Sequence, residues 1–529
     1  MSLIASEIST TTLLAVPADI YQFGSNYIWV TLATTIVCII AYYVYLPVFF
    51  TLQVTSIYEY IQLRFDRRLR LLTSFFGILS IFVYCPTVIY IPSLAFSQVT
   101  GVSVHLIASI TSIICIFYTS IGGLKAVVWT DAVQFCIMIV TFIIIFFMGV
   151  STVGGFSFLW SKSVEGHRLD VTDFSFDPTL RDSFGALIAG GIVQWLAFTV
   201  VDQGPVQKIL SVPSYKNLKI IMPFCALGLG FFHIFATFTG LLLYARFWNC
   251  DPLATKEVSR SEQLVPYFVM EVTKNFPGLP GIFIAGVFSA GLSTLSANLN
   301  TLSAVIYKDF LSPFMSKTIT QKRISNILKL IVLIGGVIST LLVLVLENLE
   351  GIFSVYTIFM AVLAGPLLGI FTLGMLIPKA NSKGAFYGAL ITCIVVTWLV
   401  VQNQRYQSII LSEFIKPTST NGCNATKLAV EVTSSAKKVS LDSLFILYRI
   451  SFWFYSFIGF AMTFVIGLTV SWFTKHDKEY VPLELLSPVI HTFVKEKRSI
   501  ELSTVRTKID DKEETRTVLI EKLCNDVKT

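Results

Sequence analysis

The chain has 529 residues, of which 54% are hydrophobic, 14% aromatic and only 13% charged, with a net charge of +7. A soluble domain carries about 25% charged residues, so this composition, with mean hydropathy +0.74, excludes a soluble globular protein and points to an integral membrane protein. The cations lie in short connections between apolar runs, which is the positive-inside pattern and not a nucleic-acid footprint.

Apolar runs of about 20 residues cross a bilayer as helices, and strand-type alternation is absent, which disfavours a barrel. About 12 passages are predicted. The first covers residues 2–21 and is interrupted by Ser9–Thr12 and by Pro17; it reads as truncated, because Met1 already stands inside it. No signal peptide precedes it. The others run over 26–51, 71–99, 103–121, 126–150, 184–203, 217–246, 279–311, 325–347, 351–377, 384–402 and 446–474. Short amphipathic pieces are expected at 56–66 and 261–273.

Lys and Arg recur in alternate connections: Arg64, Arg67, Arg68 and Arg70; Lys208, Lys216 and Lys219; Lys317, Lys322 and Arg323; Lys379 and Lys383. This side is assigned to the cytoplasm. Lys125 and the Arg64–Arg70 cluster read as membrane-side anchors. The opposite loops, 151–183, 247–278 and 403–445, are longer. The last carries the glycosylation sequon Asn424-Ala425-Thr426. Cys250 and Cys423 both fall in external loops, where an oxidising exterior favours a disulfide between them. The other cysteines noted, such as Cys38, Cys85 and Cys115, lie in apolar runs as small hydrophobes. Residues 1–475 form the expected transmembrane domain and 476–529 a polar cytoplasmic tail.

The stretch GIFIAGVFSAGLSTLSANLNT, residues 281–301, has two faces on a helix. Phe288, Leu292, Leu295, Leu299 and Leu302 form one, suited to lipid or bulky neighbours. Gly286, Ala290, Ser293, Ala297 and Asn300 form the other. Hydroxyls at Ser289, Ser293, Thr294 and Ser296 either coordinate a hard cation or bond neighbouring helices closely packed through small residues.

Several segments resemble the sodium:solute symporter family. VTSIYEYIQLRFDRRLR, residues 54–70, is similar to the loop after its second core helix. GGLKAVVWTD, residues 122–131, matches a signature of the family. Asp202-Gln203 through Gln207-Lys208 and Leu210-Ser211 is similar to its DQ-x3-QR-x-LS stretch, with Lys208 in place of the usual Arg. FSAGLST, followed by Asn300, resembles its eighth core helix. The external loops look most like the branch that carries monocarboxylates, vitamins such as biotin and pantothenate, or iodide.

This resemblance implies an all-α, LeuT-type fold of two inverted five-helix repeats with broken helices at the midplane. It implies a plasma-membrane protein that imports a small organic or inorganic anion together with sodium, by alternating access and without a cofactor. Carried over residue by residue, sodium would be held by the carbonyls of Ala5, Ile8 and Ala290 and the hydroxyls of Ser293 and Thr294, with no other metal. Asp131 would influence sodium release, or else cap its helix together with Thr130. Glu7 stands where the family has a neutral residue facing the substrate. It is either a substrate- or cation-tuning group or a carboxyl in a water-filled vestibule. Gln194 and Trp195 are the other substrate candidates. His105 and His233 read as structural.

A non-transporting solute sensor, or a truncated inactive relative, is the competing reading. A third reading, an intramembrane enzyme, is weak, because H-E-x-x-H, G-x-S-x-G and paired intramembrane carboxylates are lacking.

Overall fold

The computed structural model describes residues 1–172, 174–315, 319–348, 352–423, 444–474 and 481–494. Among them there is no strand. Ten helices are long and apolar enough to cross a membrane. The pair Phe184–Val200 and Gln203–Leu210, bent by 56°, makes an eleventh passage. Residues 2–23, in three pieces, thread the centre of the bundle and complete the expected twelve.

The first passage breaks where its sequence is poorest for a helix. Helix Ser2–Glu7 stops, and Ile8 is extended at φ −85° and ψ 113°. Consecutive hydroxyl residues follow; such side chains compete for backbone bonds and lower helix propensity. The chain re-enters through a π-turn at Thr11–Ala15 that runs directly into helix Val16–Phe23, which contains Pro17.

The sixth passage, expected as one helix to residue 203, instead breaks after Val200. Asp202 caps the second piece by accepting from the Gly204 N–H at 2.8 Å. Broken passages thus occupy positions one and six, five passages apart. The short helices Ile57–Arg64 and Leu264–Val272 follow passages two and seven, again five apart. That spacing is what a five-plus-five inverted repeat produces.

Between passages four and five, Gly123 turns the chain at φ 57°, a left-handed conformation that glycine adopts without a Cβ clash. The eighth passage, helix Leu279–Val305, is buried on both faces: Leu295, Leu299 and Leu302 as well as Ala290 and Ser293. The lipid-facing surfaces belong to other helices, through residues such as Phe117, Ile121, Leu341 and Val345. Helix Trp453–Phe473 starts later than 446, because Ile446–Tyr448 is a separate turn. Part of the polar tail packs on the bundle: Tyr60 donates to the Leu485 carbonyl at 3.1 Å, and the Ser487 N–H donates to that of Met375 at 2.9 Å.

Two basic groups read as surface anchors are structural clamps. Arg64 is buried and donates to the carbonyls of Gly374, Ile377 and Pro378, satisfying a helix end that has no intrahelical donor. Arg70 pairs with Asp309, which also accepts from Ser56 and Ser74. At the opposite end of the bundle, Arg168 is fully buried; it donates to the carbonyls of Tyr21, Gly166, Lys416 and Pro417 and stacks 4.2 Å from the Tyr244 ring centre. Burial lowers its pKa. Arg181 is held by Asp19 and Asp182. Cys250 and Cys423 form a disulfide across 173 residues of sequence. Asn424, the sequon residue, lies outside the described residues.

Candidate functional site

The break in the first passage faces the unbroken eighth. Ser293 Oγ donates to the Ala5 carbonyl at 2.9 Å and stands 3.0 Å from the Ala290 carbonyl. Thr294 Oγ1 lies 3.1 Å from the same Ala290 oxygen and 3.4 Å from the Ser6 carbonyl. Four of the five oxygens assigned to sodium from sequence therefore meet in one buried cluster. Ile8, whose extended backbone ends the first half-helix, adjoins it in sequence.

The two passages expose their carbonyls differently. The first unwinds. The eighth stays helical, and the Ala290 oxygen meets the hydroxyls because a carbonyl has two lone pairs. Close approach depends on small residues: a Cβ on Gly291 would sit 3.2 Å from Pro92 Cγ and 3.3 Å from the Val88 carbonyl. Of the other hydroxyls, Ser296 turns to its own helix, donating to the Ser293 carbonyl at 3.1 Å. Neutral carbonyl and hydroxyl oxygens suit a hard cation. No trio of His, Cys, Asp or Glu side chains able to hold a metal occurs among the described residues.

Asp131 does not cap a helix. Thr130 donates to Val127 in the same helix, while Asp131 is buried and its Oδ2 accepts from Lys208 Nζ and Ser2 Oγ, both at 2.7 Å. Lys208 also reaches the Ser2 carbonyl at 3.3 Å. Two sequence motifs thus meet in one ion pair that holds the start of the first passage. The role of Lys208 was not apparent from sequence. Gln203, of the same motif, fixes the loop before Ile57–Arg64 by accepting from the Ile57 N–H at 2.8 Å and donating to the Thr55 carbonyl at 2.9 Å.

Beside this oxygen cluster lies a cavity with about 890 Å³ of empty space, counting its solvent-open part. Glu7, Gln194 and Trp195 all line it. The structure adds Asp202, Tyr84 and Tyr356, which the sequence reading left out. Asp202 could have been found: an Asp followed by Gly204-Pro205 is a helix-start signal inside an apolar run. Tyr84 and Tyr356 stack with ring centres 4.9 Å apart. His233 is buried against Trp195, at 5.1 Å between ring centres, and 3.4 Å from the Tyr27 hydroxyl.

Residues 1–392 match the sodium:solute symporter family. The chain belongs to that family. It is 35% identical over 497 residues to sodium-coupled monocarboxylate transporter 2 of Bos taurus, covering 93% of this chain and 80% of the relative. It is 32% identical over 484 residues to a Drosophila melanogaster protein provisionally named a sodium-dependent multivitamin transporter, covering 89% and 78%. In fold it is similar to a Na+-coupled sialic acid symporter solved in a substrate-bound outward-open state, with TM-score 0.72, 22% identity and 90% of each chain covered. It is also similar to Mhp1, a nucleobase-cation-symport-1 family transporter, with TM-score 0.53, 13% identity and 91% and 93% covered. The chain is thus a multi-pass, LeuT-fold membrane transporter that couples a small solute to sodium, and not an enzyme.

Proposed function

We propose that this protein imports a small solute across the plasma membrane by alternating access, with sodium held by Ala5, Ile8, Ala290, Ser293 and Thr294. The observation that carries this reading is the convergence of Ala5 O, Ala290 O, Ser293 Oγ and Thr294 Oγ1 between the first and eighth passages. Sodium bridging these oxygens fastens the two passages together. Its release lets them separate, so the ion sets which way the cavity opens. Each sodium entering down a potential of about 100 mV, inside negative, contributes roughly 2.3 kcal/mol before its concentration gradient is added. Asp131, through Lys208 and Ser2, ties the entry of the first passage to the sixth and positions Ala5 for the ion. Glu7, Gln194 and Trp195 contact the solute. The polar tail faces the cytoplasm, and Asn424 is the glycan acceptor on the opposite side.

Relatives named for monocarboxylates and vitamins set the substrate panel of lactate, nicotinate, biotin and pantothenate, and the family resemblance adds iodide. The charge of the cavity orders that panel and adds organic amines to it. Tracer uptake into proteoliposomes, with sodium or potassium outside, is the test. Sodium-dependent uptake of one solute, lost in Ser293→Ala, is the expected result. Binding of a solute with no uptake under any sodium gradient would favour the sensor.

A further inference from the structure

Glu7 is 2% exposed, and neither of its carboxylate oxygens has a hydrogen-bond partner. It lines the central cavity, and so does a second acid, Asp202. No Lys, Arg or His stands among the described residues that line this space. The charged groups whose fields reach Glu7 are Lys208 and Asp202. Lys208 is engaged by Asp131 and the Ser2 carbonyl, so it is not free to neutralise an incoming anion.

A buried carboxylate without a partner is costly, and it persists where a cation joins it. The rest of the lining suits an organic cation. Tyr84, Trp195, Tyr356 and Trp453 present aromatic surface, whose faces attract ammonium groups within about 6 Å of the ring centre. Gln194, Thr11 and Thr12 add neutral hydrogen-bonding groups. Among the described lining side chains an anion would meet two acids and no cation, whereas an ammonium would meet both acids and the rings.

We infer that the transported solute is a small organic ammonium, with Glu7 as its counter-charge, Asp202 as a second acceptor, and the Tyr84, Trp195, Tyr356 and Trp453 rings around its alkyl groups. The inference rests on the symport reading and departs from the anionic solute that the family resemblance implies. It places substrate selection on Glu7, one residue before Ile8, so that the same break in the first passage serves the ion with its backbone and the solute with its side chain.

The test is equilibrium binding to the purified full-length chain in lipid nanodiscs. Radiolabelled choline and ethanolamine are the ammonium probes, lactate and nicotinate the anionic ones, each in sodium and in potassium buffer. The expected result is saturable binding of an ammonium probe and none of the anions. Glu7→Gln weakens that binding more than about thirtyfold, and Glu7→Asp retains most of it. Asp202→Asn, which keeps an acceptor for the Gly204 N–H, weakens it less. Binding of the anions in place of the ammonium probes overturns the inference. So does ammonium binding that is equal in wild type and Glu7→Gln, or no ammonium binding at all, whether or not an anion is taken up with sodium. Should Glu7→Gln fail to fold, the wild-type preference between the two classes decides. Ammonium binding that is identical in sodium and potassium, with no uptake, overturns the symport reading instead.

Discussion

The ends of this molecule and its middle treat charge in opposite ways. At one end Asp131 is matched by Lys208 and Asp309 by Arg70. At the other, Arg168 is matched by four carbonyls and Arg181 by two carboxylates. In the middle, the proposed ion site is made of neutral oxygens, and Glu7 has no partner. Charges satisfied by the protein hold its parts in register. An unsatisfied charge at the centre is left for something that comes and goes. This division predicts that substitutions at the ends lower stability, while those in the middle alter binding and leave stability nearly unchanged.

The largest stability effect is expected at Lys208. Lys208→Met leaves Asp131 buried and uncompensated, which costs about 3–5 kcal/mol, read as a lower melting temperature in detergent. Adding Asp131→Asn recovers most of it, and Lys208→Arg keeps the pair. Equal melting of Lys208→Met and wild type would place the Lys208–Asp131 pair outside the structural class.

Next is Arg168. Arg168→Ala removes the donor to four carbonyls and the ring contact with Tyr244; at about 1–3 kcal/mol for each buried group left unsatisfied, with water recovering some, about 3 kcal/mol is expected. Cys250→Ser opens a 173-residue loop and should cost about 2–4 kcal/mol, with the loss reproduced by reducing agent acting on wild type.

The smallest effect is at Asp177. Its carboxylate accepts from the Thr179 N–H and hydroxyl, and these bonds hold its pKa below the usual range. A depressed folded pKa means stabilisation that is present above the unfolded value and lost as pH falls through the folded one. Asp177→Asn should therefore flatten a slight acid-side loss of stability, measured by melting across the acid range, and leave neutral pH almost unaffected.

The membrane passages were legible because apolar runs are properties of local sequence. The break in the first passage was legible for the same reason: Ser9–Thr12 is a run of poor helix formers. The second break was missed because FTVV keeps the apolar run going to Asp202, which masked the cap. Arg64 was read as an anchor because its partners, the carbonyls at 374–378, come from a helix some 310 residues away; only folding brings them together. Glu7 stood out as an acid in an apolar segment, but the absence of a basic residue among the described lining of its cavity is a three-dimensional fact. The cluster around Ala290 was found through resemblance.

The most direct test of the central claim is a sodium titration of solute binding in Ser293→Ala beside Ser296→Ala. Ser293 bridges the two passages, whereas Ser296 bonds only within its own helix. The account predicts that Ser293→Ala needs at least about tenfold more sodium, an effect of about 1.4 kcal/mol, with an unchanged melting temperature, and that Ser296→Ala titrates like wild type. Identical sodium dependence in Ser293→Ala and wild type would contradict it.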